Sequence, residues 1–334
     1  MLDVGPLEAL RRQRPLIHCV SNLVTANDCA NLALAVGASP MMACAPQEMA
    51  EITAAASATV LNTGTPDEER FEVCRLCGCE AVRLGHPVVL DPVGVGASPW
   101  RLRRTQELLH LWTPSILRVN LGEAQALLAM NSREQGVDSP GPASQRERLY
   151  AAVALARSRR TVVLLSGPED IVTDGASTWV LWGGSDQMSR ITGTGCMLSV
   201  LCGAFAAVAG AREAALLASA FWKVCAAQAE ERTQGRGPGS FHTALLDAAG
   251  TLTPADLAAG TQIQERSQRS EPQSAVPIFS ANASDGRSGE SHHGIPVAIS
   301  TQKRDYIETN CRGTSVRSSD RIDYTSEEKA GEKI

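Results

Sequence analysis

Over the first four-fifths of the chain, short runs of β-branched and aliphatic residues alternate with longer stretches rich in alanine and leucine. The runs at 16–20, 58–62, 88–91, 115–119 and 161–166 are mostly near-continuous apolar segments. A strand with no polar face is buried on both sides, the habit of parallel sheets covered by helices. Residues 28–36, 66–84 and 145–158 between the runs carry helical spacing. The alternation predicts a doubly wound, mostly parallel α/β sheet flanked by helices. Residues 171–173 and 178–181, joined across Asp174-Gly175, predict a hairpin near the sheet's edge. Two long helical patterns, 196–209 and 212–232, and a short one ending near residue 247 complete the series. Residues 191–211 carry no charge, but four of the first five are Thr or Gly. A helix can therefore begin only near Cys196, and a buried helix of a soluble protein is expected rather than a membrane span.

Composition divides the chain in two. The 334 residues hold 31 basic and 36 acidic side chains, a formal net charge of −5. That balance lacks the basic excess of a nucleic-acid binder. From Ser267 onward there is no Leu, Met or Trp, and three of the four lysines lie there, leaving Lys223 alone before them. About a quarter of residues 266–334 are apolar, against nearly half of residues 1–265, so only the first part can bury a core. One domain is expected over 1–265, followed by a polar tail over 266–334 that is expected to be disordered, with 297–300 as a candidate edge strand. Ten cysteines in this length are too sparse for a disulfide scaffold. The N-terminus places Asp3 and Glu8 before any basic residue and offers no signal-type apolar run. A reduced, cytoplasmic protein without a membrane partner is expected. Cys74, Cys77 and Cys79 invite a zinc reading, but no second pair stands at finger spacing, and the surrounding residues read as one amphipathic helix.

In open α/β sheets ligands bind at the carboxyl ends of strands. Read there, the sequence gives His18-Cys19-Val20-Ser21-Asn22, Asn62-Thr63-Gly64, Asp91-Pro92-Val93-Gly94, Arg118-Val119-Asn120 and Ser166-Gly167. The strongest segment is Gly193-Thr194-Gly195-Cys196, directly before an apolar helix. Backbone N–H groups at such a start converge on one spot and suit a phosphate or a developing oxyanion. A thiol there is expected to be biased toward thiolate. No G-x-x-x-x-G-K-[ST] motif is present, which excludes a P-loop enzyme, and the two G-x-G pairs lack the third glycine of a dinucleotide fold. Glu123 and Asp91 are the candidate carboxylates for a hydrated Mg²⁺.

These residues, in this order, resemble the hydroxyethylthiazole kinase family of the ribokinase-like superfamily. The match runs through PLIHCVSNLVTANDCANLALAVGASPMMA, ATVLNTGT, VVLDPVGVGA, VVLLSGPEDIVTDG, TGTGCMLS and GPGSF, over residues 1 to about 250. The resemblance implies ATP-dependent phosphorylation of the hydroxyl of 4-methyl-5-(2-hydroxyethyl)thiazole in thiamine salvage, with Mg²⁺, in a homotrimer whose sites lie between subunits. It assigns Met42, Gly193 and Asn22 to the substrate, and Arg118, Ser166, Thr194 and Gly195 to the nucleotide. Cys196 takes the place where related kinases carry a catalytic Asp, and Asp91 and Glu123 fall near phosphates and metal. The family's usual R-G-N-x-S-E is here Arg118-Val119-Asn120-Leu121-Gly122-Glu123. If Val119 crowds the nucleotide loop, reversion to Gly should raise nucleotide affinity. The alternatives are a same-fold kinase for another small alcohol, such as hydroxymethylpyrimidine or a sugar, and a catalytically weak homologue with a regulatory or interaction role.

Overall fold

The computed structural model describes residues 2–129 and 144–266. The tail expected over 266–334, with its candidate strand at 297–300, lies outside the described residues save for Arg266. The chain runs α1 (Gly5–Gln13), β1 (Leu16–Val20), α2 (Ala26–Val36), β2 (Ser39–Met41), α3 (Met49–Ala55), β3 (Ala58–Asn62), α4 (Glu68–Leu84), β4 (Val88–Asp91), α5 (Pro99–Leu111), β5 (Ile116–Asn120) and α6 (Leu121–Ala129). It continues as α7 (Gln145–Arg159), β6 (Val162–Ser166), β7 (Asp170–Thr173), β8 (Thr178–Trp182), α8 (Thr194–Ala206), α9 (Ala211–Thr233), α10 (Pro238–Thr251), α11 (Pro254–Gly260) and β9 (Gln262–Arg266). The sheet order is β2-β1-β3-β4-β5-β6-β7-β8-β9. Pairing is parallel from β2 to β6 and antiparallel from β6 to β9.

The predicted strands and the hairpin stand in the sheet in their expected places. Two further strands escaped the pattern for physical reasons. β2 is only Ser39-Pro40-Met41 and half-buried, whereas β9 is Gln-Ile-Gln-Glu-Arg and mostly exposed, so neither carries a run of buried apolar residues. β9 also extends the sheet to Arg266, one residue past the expected domain end.

Helices α2, α8, α9 and α10 pack together over one face of the sheet, and α3 to α7 cover the other. Every residue of α8 from Met197 to Ala206 is buried, and Leu201 and Phe205 join Ile17, Val60 and Val89 in the main core. This burial accounts for the charge-free stretch, and no helix among the described residues is long and apolar enough to cross a membrane. Each fully buried Leu or Phe contributes about 1.5–3 kcal/mol, so the helix carrying the glycine-rich start is firmly anchored. On the other side, α4 buries Cys74 and Cys77 as free thiols. Among the described residues no group of three or more His, Cys, Asp or Glu side chains is placed to hold a metal.

β1 leads by way of α2 to β2 on one flank, and β3 lies on its other flank. The strand order therefore reverses between β1 and β3, the place where an open sheet leaves a crevice for a ligand.

Candidate active site

The polar strand exits meet in one hydrogen-bonded line across the carboxyl edge of the sheet. From β1, Asn22 Nδ2 donates to Cys196 Sγ at 3.3 Å and to Asn62 Oδ1 at 3.1 Å. At the end of β3, Asn62 Nδ2 donates to Asp91 Oδ2 at 3.0 Å. Asp91, at the end of β4, pairs through Oδ1 with Arg118 Nη1 of β5 at 3.3 Å. Arg118 Nη2 donates to Ser166 Oγ, at the end of β6, at 2.7 Å. Both amides are fixed in orientation by their other contacts: Asn22 Oδ1 accepts from the backbone of Val24 and Thr25, and Asn62 Oδ1 from Gly64. The line thus joins a thiol, two amides, a carboxylate, a guanidinium and a hydroxyl. Five adjacent parallel strands supply all but the thiol, which α8 brings over their ends.

Two glycines shape the start of that helix. Gly193 caps α8 with φ +88, a left-handed conformation that glycine adopts without strain. A Cβ at Gly195 would collide with the Arg118 guanidinium, so only glycine lets the arginine lie against the helix start. Thr194 donates its hydroxyl to Met188 O at 3.2 Å. The expected thiolate bias of Cys196 is corrected: burial, reinforced by the negative charge of Asp91, pushes its pKa up rather than down. Neighbouring polar side chains and the charge of Arg118 offset this only in part. Asp91 is fully buried and its carboxyl is pushed up to about 6, mainly by desolvation, with Arg118 pulling the other way.

Glu123 is not the solvated first-turn residue that its position on α6 suggests. It is buried, its Oε1 accepts from Gly94 N and its Oε2 from Asn120 N, both at 2.9 Å, while Asn120 Oδ1 accepts from Glu123 N. It bolts the Gly94 turn after β4 to the exit of β5. Met42 follows β2 and packs half-buried on the core. Beside it, buried His18 contacts Ala43 O at 3.1 Å and Thr53 Oγ1 at 3.2 Å. A carbonyl can only accept, so Nε2 carries a proton, and burial lowers the pKa of the ring. His18 thus holds the Met42–Cys44 segment. Cys44 lines a small cavity of about 140 Å³ with Asp67, Arg70 and Val73, and Arg70 reaches back to Ser21 O.

Val119 does not line this edge. It is fully buried in β5 opposite Leu165 of β6, and alternation along the strand puts it on the face away from Arg118. At exposed Gly122 a Cβ would stand 3.5 Å from Asn120 Oδ1, an ordinary contact. The residues that sequence reasoning passed over are Asn62, which bridges the two halves of the line, and Ser199, whose hydroxyl donates to Asp91 Oδ2 at 2.7 Å. Asn62 stood in a strand exit, but nothing in its neighbours marked it as a bridge. Ser199 lies one turn into an apolar helix, one helical turn after Gly195, and that position on the sheet-facing side was its only signal.

A family model described as the hydroxyethylthiazole kinase family matches residues 7–255. A hydroxyethylthiazole kinase of Methanoculleus marisnigri is 42% identical, over 79% of this chain and 94% of its own length. One from Nitratidesulfovibrio vulgaris is 45% identical, over 72% of this chain and 88% of its own. Among solved structures, a hydroxyethylthiazole kinase protein from Pyrococcus horikoshii superposes with a TM-score of 0.73 at 34% identity, covering 79% of this chain and 98% of that one. A ribokinase-like superfamily protein from Enterococcus faecalis shares the fold at a TM-score of 0.50 and 10% identity, covering 74% of this chain and 94% of that one.

Proposed function

The chain belongs to the hydroxyethylthiazole kinase family, and on that premise we propose that it transfers the terminal phosphoryl group of ATP to the hydroxyl of 4-methyl-5-(2-hydroxyethyl)thiazole, in thiamine salvage. The observation that supports the reading is the unbroken line from Cys196 to Ser166 along one sheet edge, long enough on this reading for an alcohol at one end and a nucleotide at the other. In this reading Asn22, Met42 and Gly193 border the thiazole alcohol at the β1/β3 crevice. Arg118, Ser166, Thr194 and Gly195 border the nucleotide.

Phosphoryl transfer asks mostly for positioning and charge neutralisation. The backbone N–H groups at the start of α8 meet the equatorial oxygens of the transferring group, and Arg118 adds a fixed cation whose orientation Asp91 and Ser166 hold. As the alcohol oxygen bonds to phosphorus, the bond to the bridging oxygen breaks, ADP leaves, and the hydroxyl proton passes to Cys196 Sγ. The transition state is loose, so the alcohol needs little activation and a small thiolate fraction suffices.

The donor set suits a hydrated Mg²⁺, which prefers hard oxygen ligands and keeps several waters. Each oxygen of Glu123 accepts one backbone N–H and keeps a free lone pair. Both oxygens of Asp91 are engaged by Asn62, Ser199 and Arg118. Glu123 is therefore the better candidate for holding the ion, with Asp91 acting as charge behind Arg118. When bound, Mg²⁺ supplies neutralisation of the phosphate charge.

Leu23 and Val24, directly after Asn22, are 80% and 61% exposed. Apolar side chains left bare beside a site support a second subunit covering them, as in a homotrimer with sites between subunits. The proposed catalytic domain ends with β9, and the proposed setting is the cytoplasm. A coupled assay of ADP release with the thiazole alcohol, hydroxymethylpyrimidine and a simple sugar tests the reading; preference for either of the last two would replace it by the related kinase.

A further inference from the structure

Lys223 is the only lysine among the described residues and lies buried within α9. Burying an ammonium is costly unless it is paired and hydrogen-bonded. Its Nζ donates to Pro168 O at 3.3 Å and Gly183 O at 3.4 Å, and pairs with Asp170 Oδ1 at 3.5 Å. Asp170 in turn accepts from Gly167 N at 3.0 Å and from Ser219 Oγ at 2.7 Å. One position earlier on the helix, Trp222 Nε1 donates to Thr194 O at 3.0 Å. Residues 219, 222 and 223 share one face of α9 by their i, i+3, i+4 spacing. That single face grips the turn after Ser166, the Gly183–Gly184 turn after β8, and the first residue of α8. The two turn glycines are left-handed, at φ +99 and +95, a conformation open to glycine.

We propose that Lys223 is a positioning residue for the nucleotide end of the site. Its ammonium sets the spacing between the Ser166–Pro168 turn and the segment leading from Gly183 to Thr194, so that Ser166 and the helix start face the same phosphates. The proposal rests on the kinase reading above. The hydrogen bonds and ion pair of Lys223 all go to the nucleotide side, and none reaches Asn22, Met42 or Cys196. Its loss should therefore separate the two substrates, which a general loss of packing would not do.

The test uses the full-length protein and its Lys223→Met, Lys223→Arg and Trp222→Phe variants. ATP affinity is measured by calorimetry, and KM is measured for both substrates. Lys223→Met is expected to raise the Kd and KM for ATP at least tenfold while the KM for the alcohol stays within twofold. Lys223→Arg, which keeps a cation able to reach the carbonyls, should recover most of the loss, and Trp222→Phe should weaken ATP binding severalfold. An ATP Kd within twofold of wild type in Lys223→Met, or an equal rise in both KM values, overturns the proposal. Should Lys223→Met fail to fold, Lys223→Gln takes its place under the same limits: an ATP Kd within twofold of wild type or an equal rise in both KM values overturns the proposal, and a tenfold rise confined to ATP upholds it. A wild type that binds ATP but leaves the thiazole alcohol untouched refutes the substrate reading, while the calorimetric comparison still decides the role of Lys223.

Discussion

In the proposed reaction Cys196 and Asp91 are the residues whose protonation decides most. A thiol whose pKa is raised by burial holds less thiolate at neutral pH than an ordinary cysteine. If it receives the substrate proton, kcat of the wild type should climb with pH between 7 and 9, by up to about tenfold per unit. Cys196→Ala should lower kcat by about 10²-fold and flatten that slope. Cys196→Asp, with a base already ionised, should retain turnover without the slope, and an unchanged kcat in Cys196→Ala would remove the base role. Asp91 works in the opposite sense to most paired carboxylates. Folding raises its pKa from 3.8 to about 6, so the folded state favours the proton, and stability falls as pH rises through that window. The difference in unfolding free energy between wild type and Asp91→Asn should shrink by about 3 kcal/mol from below pH 4 to above pH 6, readable by denaturant titration at several pH values. Both residues were legible in sequence as strand-end and helix-start groups. Their protonation was not, because desolvation depends on the helix layer that closes over them, and a sequence read as local motifs does not show it.

Among the elements, α8 and β5 carry the arrangement. Gly195→Ala must push the Arg118 guanidinium off the helix start. It should raise the KM for ATP at least tenfold with little change in the melting temperature, as steady-state kinetics and thermal unfolding can show. Val119→Gly should not improve the enzyme. It removes a fully buried side chain from a central strand and should cost about 2–4 kcal/mol of stability, with the calorimetric Kd for ATP within twofold of wild type. The continuous apolar runs made the central strands readable, because burial on both faces leaves no polar alternation to confuse them. β2 and β9 sit at the two edges of the sheet, where half-exposed or polar residues suffice, and so they left no such mark. α5, whose Pro99-Trp100 start is followed by Arg-Leu-Arg-Arg, likewise buries only Thr105 and Leu108, too little apolar face to stand out.

Across the whole molecule, the site is a property of strand order. The five exits were readable one by one, but that they form one hydrogen-bonded line follows from β1, β3, β4, β5 and β6 lying side by side, a fact of topology. The exposed pair Leu23 and Val24 beside this line extends the account to assembly. Replacing both by Asp should dissociate the expected trimer, seen by sedimentation, and weaken use of the alcohol more than use of ATP. A chain ending at Arg266 keeps the β8–β9 pairing and should retain full turnover, whereas one ending before Gln262 should lose stability. The most direct measurement of the central claim is ADP release by the full-length protein with ATP, Mg²⁺ and 4-methyl-5-(2-hydroxyethyl)thiazole. Turnover that requires the thiazole hydroxyl and exceeds that on hydroxymethylpyrimidine or a sugar is the predicted result, and absence of thiazole-dependent ADP release would contradict the account.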